Sequence, residues 1–417
     1  MATVEKAVLG AFLKENYLLK DTILKPDHFE EVKNKQLFSE MQKLVQQNKA
    51  VDVVTLTTAP SLKQLGGISY LNEIQSFGNV EKFEEYETLI LEKWKEREKK
   101  NILTTATFED WSVEKVTTEL NKLSESRVDD HISIQEAIVE VADLPFEKGN
   151  ERKGVSTGIK DLDRMTNGFM DSELTIIGAR PSMGKTDFLL HLSKQSGWLG
   201  YLPIVFSLEM PSRSLVNRLI ASTGSYNRTK MRNPYKELTD AQKDKWAMTL
   251  SKVAETNIQI FDKAGQTVSE MRAKVRKLIH QFEDKKPVIF IDYLTLIKPK
   301  HHYNGNMHQQ VTEISSDLKE MAKEFDCPVV CLAQLSRAVE QRAEKKPMMA
   351  DIRESGSIEQ IADVIMFLYR EKYYKKDSDD NTMEVIVGKN RNGPIGSVKP
   401  LYNEFTGEIK DDSQGIV

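Results

Sequence analysis

Cysteine is nearly absent from the chain. Its 417 residues include two, Cys327 and Cys331, both within "CPVVCLAQL". If this run is a strand, their Cα atoms lie about 13 Å apart, which is beyond the reach of a disulfide. A second Cys or His pair with zinc-site spacing is also missing. The sequence therefore predicts two small buried residues of a core strand rather than a disulfide or a metal site.

Long hydrophobic runs are also missing. No stretch reaches the roughly 18 apolar residues that span a bilayer, and the longest run, "PVIFIDYLTLI", carries Asp292 in its middle. The apolar run from Val8 to Leu13 is short and follows Glu5 and Lys6, unlike a secretory signal. We therefore expect a soluble, cytoplasmic protein with no membrane partner.

A large excess of one charge is the third absence. The net charge of −4 argues against a surface coated with basic residues for nucleic acid. It leaves room for a local basic channel, because phosphate contacts are screened within a Debye length. Overall charge therefore does not decide between classes of partner.

The length favours more than one domain. Residues 1–110 have apolar positions at helical spacing and predict an all-α N-terminal domain. A linker follows over residues 111–153. Within it, Ser133 and Glu136 form a capping box, which predicts a linker helix at about residues 133–144. Such a short helix is marginal alone, so its apolar stripe should dock on another surface.

Residues 154–417 have a different pattern of apolar residues. Short apolar, β-branched runs alternate with helical segments: "LTIIGA", "LPIVFSLE", "IQIFD", "PVIFIDYL", "CPVVCLAQL", "DVIMFLYR" and "MEVIVGK". Strands that alternate with helices predict an α/β domain with a mostly parallel sheet and helices on both faces.

A phosphate-binding loop is predicted after the first of these strands. "LTIIG", "ARPSMGKT" and "DFLLHLSKQ" form the strand, loop and helix of a P-loop, with Ala179 in place of its first glycine. Lys185 is expected to neutralise phosphate charge and Thr186 to bind Mg²⁺. The alternative is an accidental GKT in an ordinary loop. The predicted ATP-binding segment comprises Ala179, Arg180, Pro181, Ser182, Met183, Gly184, Lys185 and Thr186.

Three other strand ends carry polar candidates. Asp292 ends "PVIFID" and fits a Walker B carboxylate for Mg²⁺, although a helix cap is the alternative. Glu209 ends "IVFSLE" and could activate water. Gln334 ends "CLAQ" and could sense the γ-phosphate. Alone, one glutamate at a strand end does not establish a role in water activation.

Two basic segments could contact phosphates. "DIRESGS" holds Arg353 and Gly356, where a solvated loop is the competing interpretation. "GKNRNGPIG" places Lys389 and Arg391 at the tip of a predicted hairpin, from which they could act on a neighbouring subunit. "HHYNGNMH" lacks zinc-ligand spacing, so we expect a polar surface or DNA-facing loop there.

In this order, "ARPSMGKT", "FSLEMP", "IDYL", "AQLSRAVEQR", "DIRESGSIEQ" and "GKNRNGPIG" resemble the motifs of the DnaB-type replicative DNA helicases of bacteria and their phages. "EKAVLGAFL", "LFSEMQKL", "VDVVTL" and "GGISYLNEI" are similar to that family's helical domain, so the resemblance covers nearly the whole chain. Ala is usual at the start of this family's loop.

The resemblance implies a RecA-like P-loop ATPase domain and a ring-shaped homo-hexamer that moves 5′ to 3′ on single-stranded DNA. It assigns Lys185 and Thr186 to ATP and Mg²⁺, Glu209 to water activation, Asp292 to Walker B and Gln334 to sensing. It also assigns Lys389 and Arg391 to the neighbour's γ-phosphate, and Arg353, Glu354 and Gly356 to DNA binding. The N-terminal domain resembles a collar that binds primase and, in some members, a loader.

Two other classes compete with this hypothesis. A RecA- or RadA-like recombination protein would use ATP to hold DNA rather than to unwind it, although RadA-type proteins usually carry a four-cysteine zinc module, which this sequence lacks. A non-catalytic assembly module would use the nucleotide only to hold a ring together, and Glu209, Asp292 and Arg391 argue against it.

Overall fold

The computed structural model describes residues 1–47, 49–58, 66–112, 115–116, 119–120, 134–142, 154–301, 303, 305–352, 355–375 and 377–411. The chain divides into two compact units, Met1–Glu151 and Arg152–Val417. In the described parts, no helix is long and apolar enough to cross a membrane.

The N-terminal unit is helical, as predicted. Phe12 and Phe38 pack with ring centroids 5.4 Å apart in its core, and Phe12 lies 5.3 Å from Phe83. Gly10 and Gly78 sit where two segments touch, because a Cβ on Gly10 would lie 2.1 Å from the Ile74 carbonyl oxygen. The helices are α1 (Ala2–Lys14), α2 (Leu18–Asp21), α3 (Val32–Gln46), α4 (Val53–Thr57), α5 (Gly67–Phe77) and α6 (Phe83–Phe108).

A seventh helix, α7 (Ile134–Val141), lies within the predicted linker. Its side chains Ile134, Ile138 and Val139 are exposed. The predicted capping box lies outside the described residues, because Ser133 and the side chain of Glu136 are not among them. Docking of this apolar stripe therefore stays a prediction.

An eight-stranded sheet forms the centre of the second unit, in the order β3-β2-β4-β5-β1-β6-β7-β8. The first six strands in this order are parallel to one another, and β7 and β8 are paired antiparallel at one edge. The strands are β1 (Leu174–Ala179), β2 (Leu202–Ser207), β3 (Gln259–Phe261), β4 (Pro287–Asp292), β5 (Val329–Gln334), β6 (Val364–Tyr369), β7 (Glu384–Asn390) and β8 (Gly396–Val398). The mostly parallel sheet is confirmed.

Helices cover both faces of this sheet. Successive residues of a strand point to opposite faces, so Ile176 packs in one core and Ile177 in the other. Near-continuous apolar strands are typical of a parallel sheet that is buried on both sides. The helices are α8 (Lys160–Thr166), α9 (Lys185–Trp198), α10 (Ser212–Gly224), α11 (Pro234–Glu237), α12 (Asp240–Asp244), α13 (Trp246–Ala254), α14 (Val268–Gln281), α15 (Met307–Glu324), α16 (Ser355–Ile361) and α17 (Glu371–Tyr374).

A small antiparallel pair, β9 (Leu401–Asn403) and β10 (Glu408–Lys410), lies outside the main sheet. The sequence analysis did not predict this pair of strands. The two cysteines are buried and unbridged, with Cys331 in β5 and Cys327 just before it. Burial raises the pKa of both thiols, so they stay protonated at neutral pH.

Candidate nucleotide-binding site

The loop between β1 and α9 is wound tightly. Ser182 and Gly184 have positive φ angles of 66° and 91°. A Cβ on Gly184 would lie 2.7 Å from Met383 Cε, so glycine fits both the dihedral angle and the space. The loop leads directly into the first turn of α9, where free backbone N–H groups and the helix dipole favour the binding of anions. The predicted strand, loop and helix are all present.

Thr186 and Asp292 meet at the floor of the site. The Thr186 hydroxyl donates to Asp292 Oδ2 at 2.9 Å. Asp292 is 2% exposed, and its Oδ1 receives no hydrogen bond from the part of the chain that the structure describes. A hydroxyl beside an orphaned carboxylate oxygen is the kind of oxygen ligand that Mg²⁺ takes. The residues present therefore fit a magnesium ion.

Lys185 lies over the same floor. Its Nζ is 3.9 Å from Asp292 Oδ1 and 4.2 Å from the centre of the Tyr293 ring. Burial lowers the pKa of Lys185, and the carboxylates of Asp292 and Glu209 partly offset that effect. A polyphosphate would favour the charged lysine, because an opposite charge nearby stabilises the ammonium form.

The strand order brings Glu209 and Gln334 to the same C-terminal ends of the parallel strands as the P-loop. β2, β4, β5 and β1 are consecutive neighbours, so their C-terminal ends lie side by side. Glu209 and Gln334 both line a cavity of about 420 Å³ with the P-loop. The full lining is Ala179, Arg180, Pro181, Ser182, Gly184, Lys185, Thr186, Asp187, Glu209, Met210, Arg218, Arg228, Gln334 and Tyr402.

Two P-loop residues have side chains committed elsewhere. Met183 is buried in the hydrophobic core and does not line the cavity, so any contact from it to a nucleotide would come from its backbone. Arg180 donates to Glu340 at 2.9 Å and to the Leu335 carbonyl oxygen at 2.9 Å. These contacts tie the P-loop to the segment that follows β5.

Gln334 also borders a second cavity, of about 700 Å³, together with Ser336, Ile352 and Gly356. It is thus shared between the P-loop cavity and the segment predicted to bind DNA. Gly356 is exposed at the start of α16. Arg353 and Glu354 lie outside the described residues.

Lys389 and Arg391 are far from their own P-loop. Lys389 Nζ donates to the carbonyl oxygens of Glu359 and Ala362, at 2.5 and 2.6 Å. Arg391 lies beside Asp363, whose carboxylate accepts from the backbone N–H of Leu174, the first residue of β1. The P-loop follows the C-terminal end of β1, and β1 is about 17 Å long. Lys389 and Arg391 therefore lie near the N-terminal ends of the parallel strands, on the opposite side of the sheet from the P-loop.

The polar loop after β4 was not expected to bind a metal. Among the described residues, no group of His, Cys, Asp and Glu has metal-binding geometry. Instead, Glu313 of α15 accepts from Tyr303 at 2.5 Å and contacts the His301 ring at 3.0 Å.

One wall of the cavity was not predicted from the sequence. Asp187, the residue after Thr186, accepts hydrogen bonds from Arg218, Arg228 and Tyr402. The sequence does show one sign of it, because a carboxylate follows the GKT motif directly. Its partners lie 31, 41 and 215 residues away, so no spacing rule connects them.

The sheet topology and the P-loop, with a strand-end carboxylate beside its threonine, define a RecA-like P-loop ATPase domain. The family model of the DnaB-like helicase C terminal domain matches residues 154–411, and that of the DnaB-like helicase N terminal domain matches residues 1–92. The chain belongs to the DnaB-like helicase family and is a nucleotide-binding, ATP-hydrolysing helicase of the replicative type.

Individual relatives match over nearly the full length. The replicative DNA helicase DnaC of Bacillus subtilis is 37% identical over 99% of this chain and 96% of its own. The replicative DNA helicase DnaB of Geobacillus stearothermophilus is also 37% identical, over 96% and 93%.

Two solved structures are similar to this chain in both fold and sequence. One, described as a DnaB-like replicative helicase and its interactions with primase, has a TM-score of 0.65 and 34% identity, over 99% of this chain and 100% of that one. The other, described as an ATPase domain, has a TM-score of 0.64 and 40% identity, over 68% of this chain and 99% of that one.

Proposed function

We propose that this protein couples ATP hydrolysis to 5′-to-3′ movement along single-stranded DNA and thereby unwinds the duplex at a replication fork. The observation that carries the proposal is the meeting of Lys185, Thr186, Glu209 and Gln334 around one cavity, with Asp292 bonded to Thr186 and close to Lys185. The chain resembles replicative DNA helicases over nearly its whole length.

The chain's residues would divide the chemistry among them. Backbone N–H groups of the segment from Ala179 to Thr186, except Pro181, and the Lys185 ammonium bind the phosphates of ATP. Thr186 and Asp292 would hold Mg²⁺, which supplies positive charge against the phosphate oxygens when it is bound. Glu209, exposed at the cavity, orients and deprotonates the attacking water.

Completion of the site requires a neighbouring subunit. Lys389 and Arg391 are too far from their own P-loop to reach a phosphate there, so we assign them to the γ-phosphate of an adjacent protomer. Head-to-tail contacts of this kind give a ring when the rotation between subunits closes, and we propose a homo-hexamer.

Gln334 would link the state of the nucleotide to the DNA. It borders both cavities, and the second cavity includes Gly356. We place DNA contacts on Arg353, Glu354 and Gly356. The strand should be held through its backbone, without sequence preference.

We further propose that residues 1–110 form a collar that binds primase and a loader, that residues 111–153 connect it, and that residues 154–417 form the motor. The solved relative described with primase interactions supports the primase assignment.

The test is ATP-dependent unwinding of forked DNA with free ends, which a ring can thread without a loader. We expect unwinding of a fork with a 5′ single-stranded tail and none when only a 3′ tail is present. Unwinding from the 3′ tail alone would refute the polarity. DNA-stimulated ATPase activity without unwinding of either fork would instead favour the recombination-type protein or indicate that a partner is missing.

A further inference from the structure

Asp187 is a buried carboxylate inside the phosphate cradle. It is the third residue of α9, follows Thr186 directly, and is 4% exposed. Its Oδ1 accepts from Arg218 at 3.1 Å and from Arg228 at 2.5 Å, and its Oδ2 accepts from the Tyr402 hydroxyl at 2.7 Å. All four side chains line the P-loop cavity.

The position of this carboxylate poses an electrostatic problem. The first turn of α9 is where backbone N–H groups and the helix dipole attract phosphate. A carboxylate in the same turn stabilises the empty helix by the same dipole, but it repels a polyphosphate. Anion binding here therefore depends on what neutralises Asp187.

Two guanidinium groups face this one carboxylate, so the wall carries an excess of one positive charge. Arg228 is held in place by its own backbone, since its N–H donates to the Phe405 carbonyl oxygen at 2.9 Å. The turn between β9 and β10 leaves room for it. A Cβ on Gly407 would lie 1.6 Å from Arg228 Nη2, and Gly407 has a positive φ of 75°.

Tyr402 of β9 completes the arrangement. Burial, and after it the nearby Asp187 carboxylate, raise the pKa of its phenol, so the hydroxyl remains a donor at neutral pH. The carboxylate therefore joins α9, α10, the segment around Arg228 and the β9–β10 pair around the cavity.

We infer that Arg228 is a positioning residue for nucleotide binding: together with Arg218 it outweighs the charge of Asp187, and without it the excess positive charge that favours a nucleoside polyphosphate at the first turn of α9 is lost. The inference rests on the proposed ATP site. It concerns affinity rather than the chemical step, because neither Arg228 nor Asp187 is assigned to the reacting atoms.

The test is a charge-compensation cycle on the full chain. The dissociation constant of ADP is measured by calorimetry, and kcat and KM for ATP are measured alongside. Arg228→Ala is expected to raise the ADP dissociation constant and the KM for ATP about tenfold with little change in kcat, because the repulsion between Asp187 and the phosphates is then less compensated. Asp187→Ala combined with Arg228→Ala restores the wild-type excess charge and should bring affinity back to within about twofold.

The double variant separates two explanations. If Arg228 contacts the nucleotide itself, or only supports the fold, removal of Asp187 restores nothing, and the inference is wrong. Arg232→Ala removes an exposed charge nearby and should leave affinity unchanged. Should the alanine pair unfold in a thermal scan, Asp187→Asn with Arg228→Gln repeats the cycle with side chains of similar shape.

Lys185→Ala distinguishes failure of the inference from failure of the proposed site. If Lys185→Ala binds ADP as well as the wild type, the nucleotide site itself is misplaced. If Lys185→Ala loses ADP binding while Arg228→Ala keeps it, only the compensation by Arg228 is refuted.

Discussion

Arg391 Nη1 lies 3.7 Å from Asp363 Oδ1, near the N-terminal ends of the parallel strands and thus opposite the P-loop. Its Nη2 also donates to the Gln360 carbonyl oxygen at 2.5 Å, at the C-terminal end of α16. A residue in this position cannot serve the γ-phosphate of its own subunit.

Subunit mixing should therefore restore activity to two inactive variants. Lys185→Ala and Arg391→Ala are each expected to lose at least about a thousandfold in ATPase rate, the scale of an arginine finger. After co-expression at equal amounts, about a quarter of the interfaces in a head-to-tail ring pair an intact Lys185 with an intact Arg391. ATPase activity of the mixed rings should rise clearly above that of either variant.

If Arg391 acted within its own chain, mixing would leave the activity at the level of the variants. Arg164→Ala serves as the matched control, because this exposed arginine forms its ion pair with Asp161, one turn earlier on α8. It should be as active as the wild type.

Replacement of Glu209 by Gln should remove the group that deprotonates water and keep the size of the side chain. We expect ATP turnover to fall about a hundredfold or more, with ADP and ATP binding nearly unchanged. Single-turnover hydrolysis and calorimetry measure the two quantities. Turnover that survives the change would mean that another residue activates the water.

ATP binding should weaken at alkaline pH before ordinary lysines lose their charge. Burial lowers the pKa of Lys185 below its usual value of 10.5, and bound phosphates raise it again. Affinity is therefore fully present below the free-state pKa of Lys185 and falls as the pH rises through it. Calorimetric ADP titrations at increasing pH measure this loss.

Lys185→Arg provides the comparison, because a guanidinium stays charged throughout this range. Its affinity should be flatter with pH, whatever its absolute value. An equally steep decline in Lys185→Arg would assign the pH dependence to another group.

Gly10→Ala should destabilise the N-terminal unit. The added methyl group would lie 2.1 Å from the Ile74 carbonyl oxygen and 2.6 Å from the Gly78 backbone nitrogen, so backbone must move. We expect a loss of about 1–3 kcal/mol in the free energy of unfolding, the usual cost of overpacking. Thermal or denaturant unfolding of the full chain measures it. The exposed Ser76→Ala on α5 should change stability by less than about 0.5 kcal/mol.

The sequence was most informative where the physical signal is local. Runs such as "LTIIGA" and "PVIFID" are apolar throughout because both faces of a parallel strand are buried, and their strands lie where predicted. The P-loop could be recognised because Gly184, Lys185 and Thr186 are adjacent in the chain. The proximity of Asp292 to Thr186 followed from the rule that parallel strands present their carboxyl ends at one edge.

Long-range pairing was not predictable in the same way. Tyr402 reaches Asp187 only because the β9–β10 pair folds back over the P-loop, and short strands of three residues leave no periodic pattern to detect. The position of Arg391 at the far edge of the sheet depended on the antiparallel pairing of β7 with β6, which reverses the chain there.

Asp363 has more partners than a single cation requires. Besides Arg391, its carboxylate accepts from Lys319 at 2.6 Å and from the Leu174 backbone N–H at 2.8 Å. Departure of Arg391 towards another subunit would thus leave no uncompensated buried charge behind. If Arg391 acts on a neighbouring subunit, as we propose, its side chain gives up the contacts with Asp363 and Gln360, while Asp363 keeps Lys319 and the Leu174 N–H as partners, so that a contact between subunits is exchanged for one within the subunit when Arg391 returns.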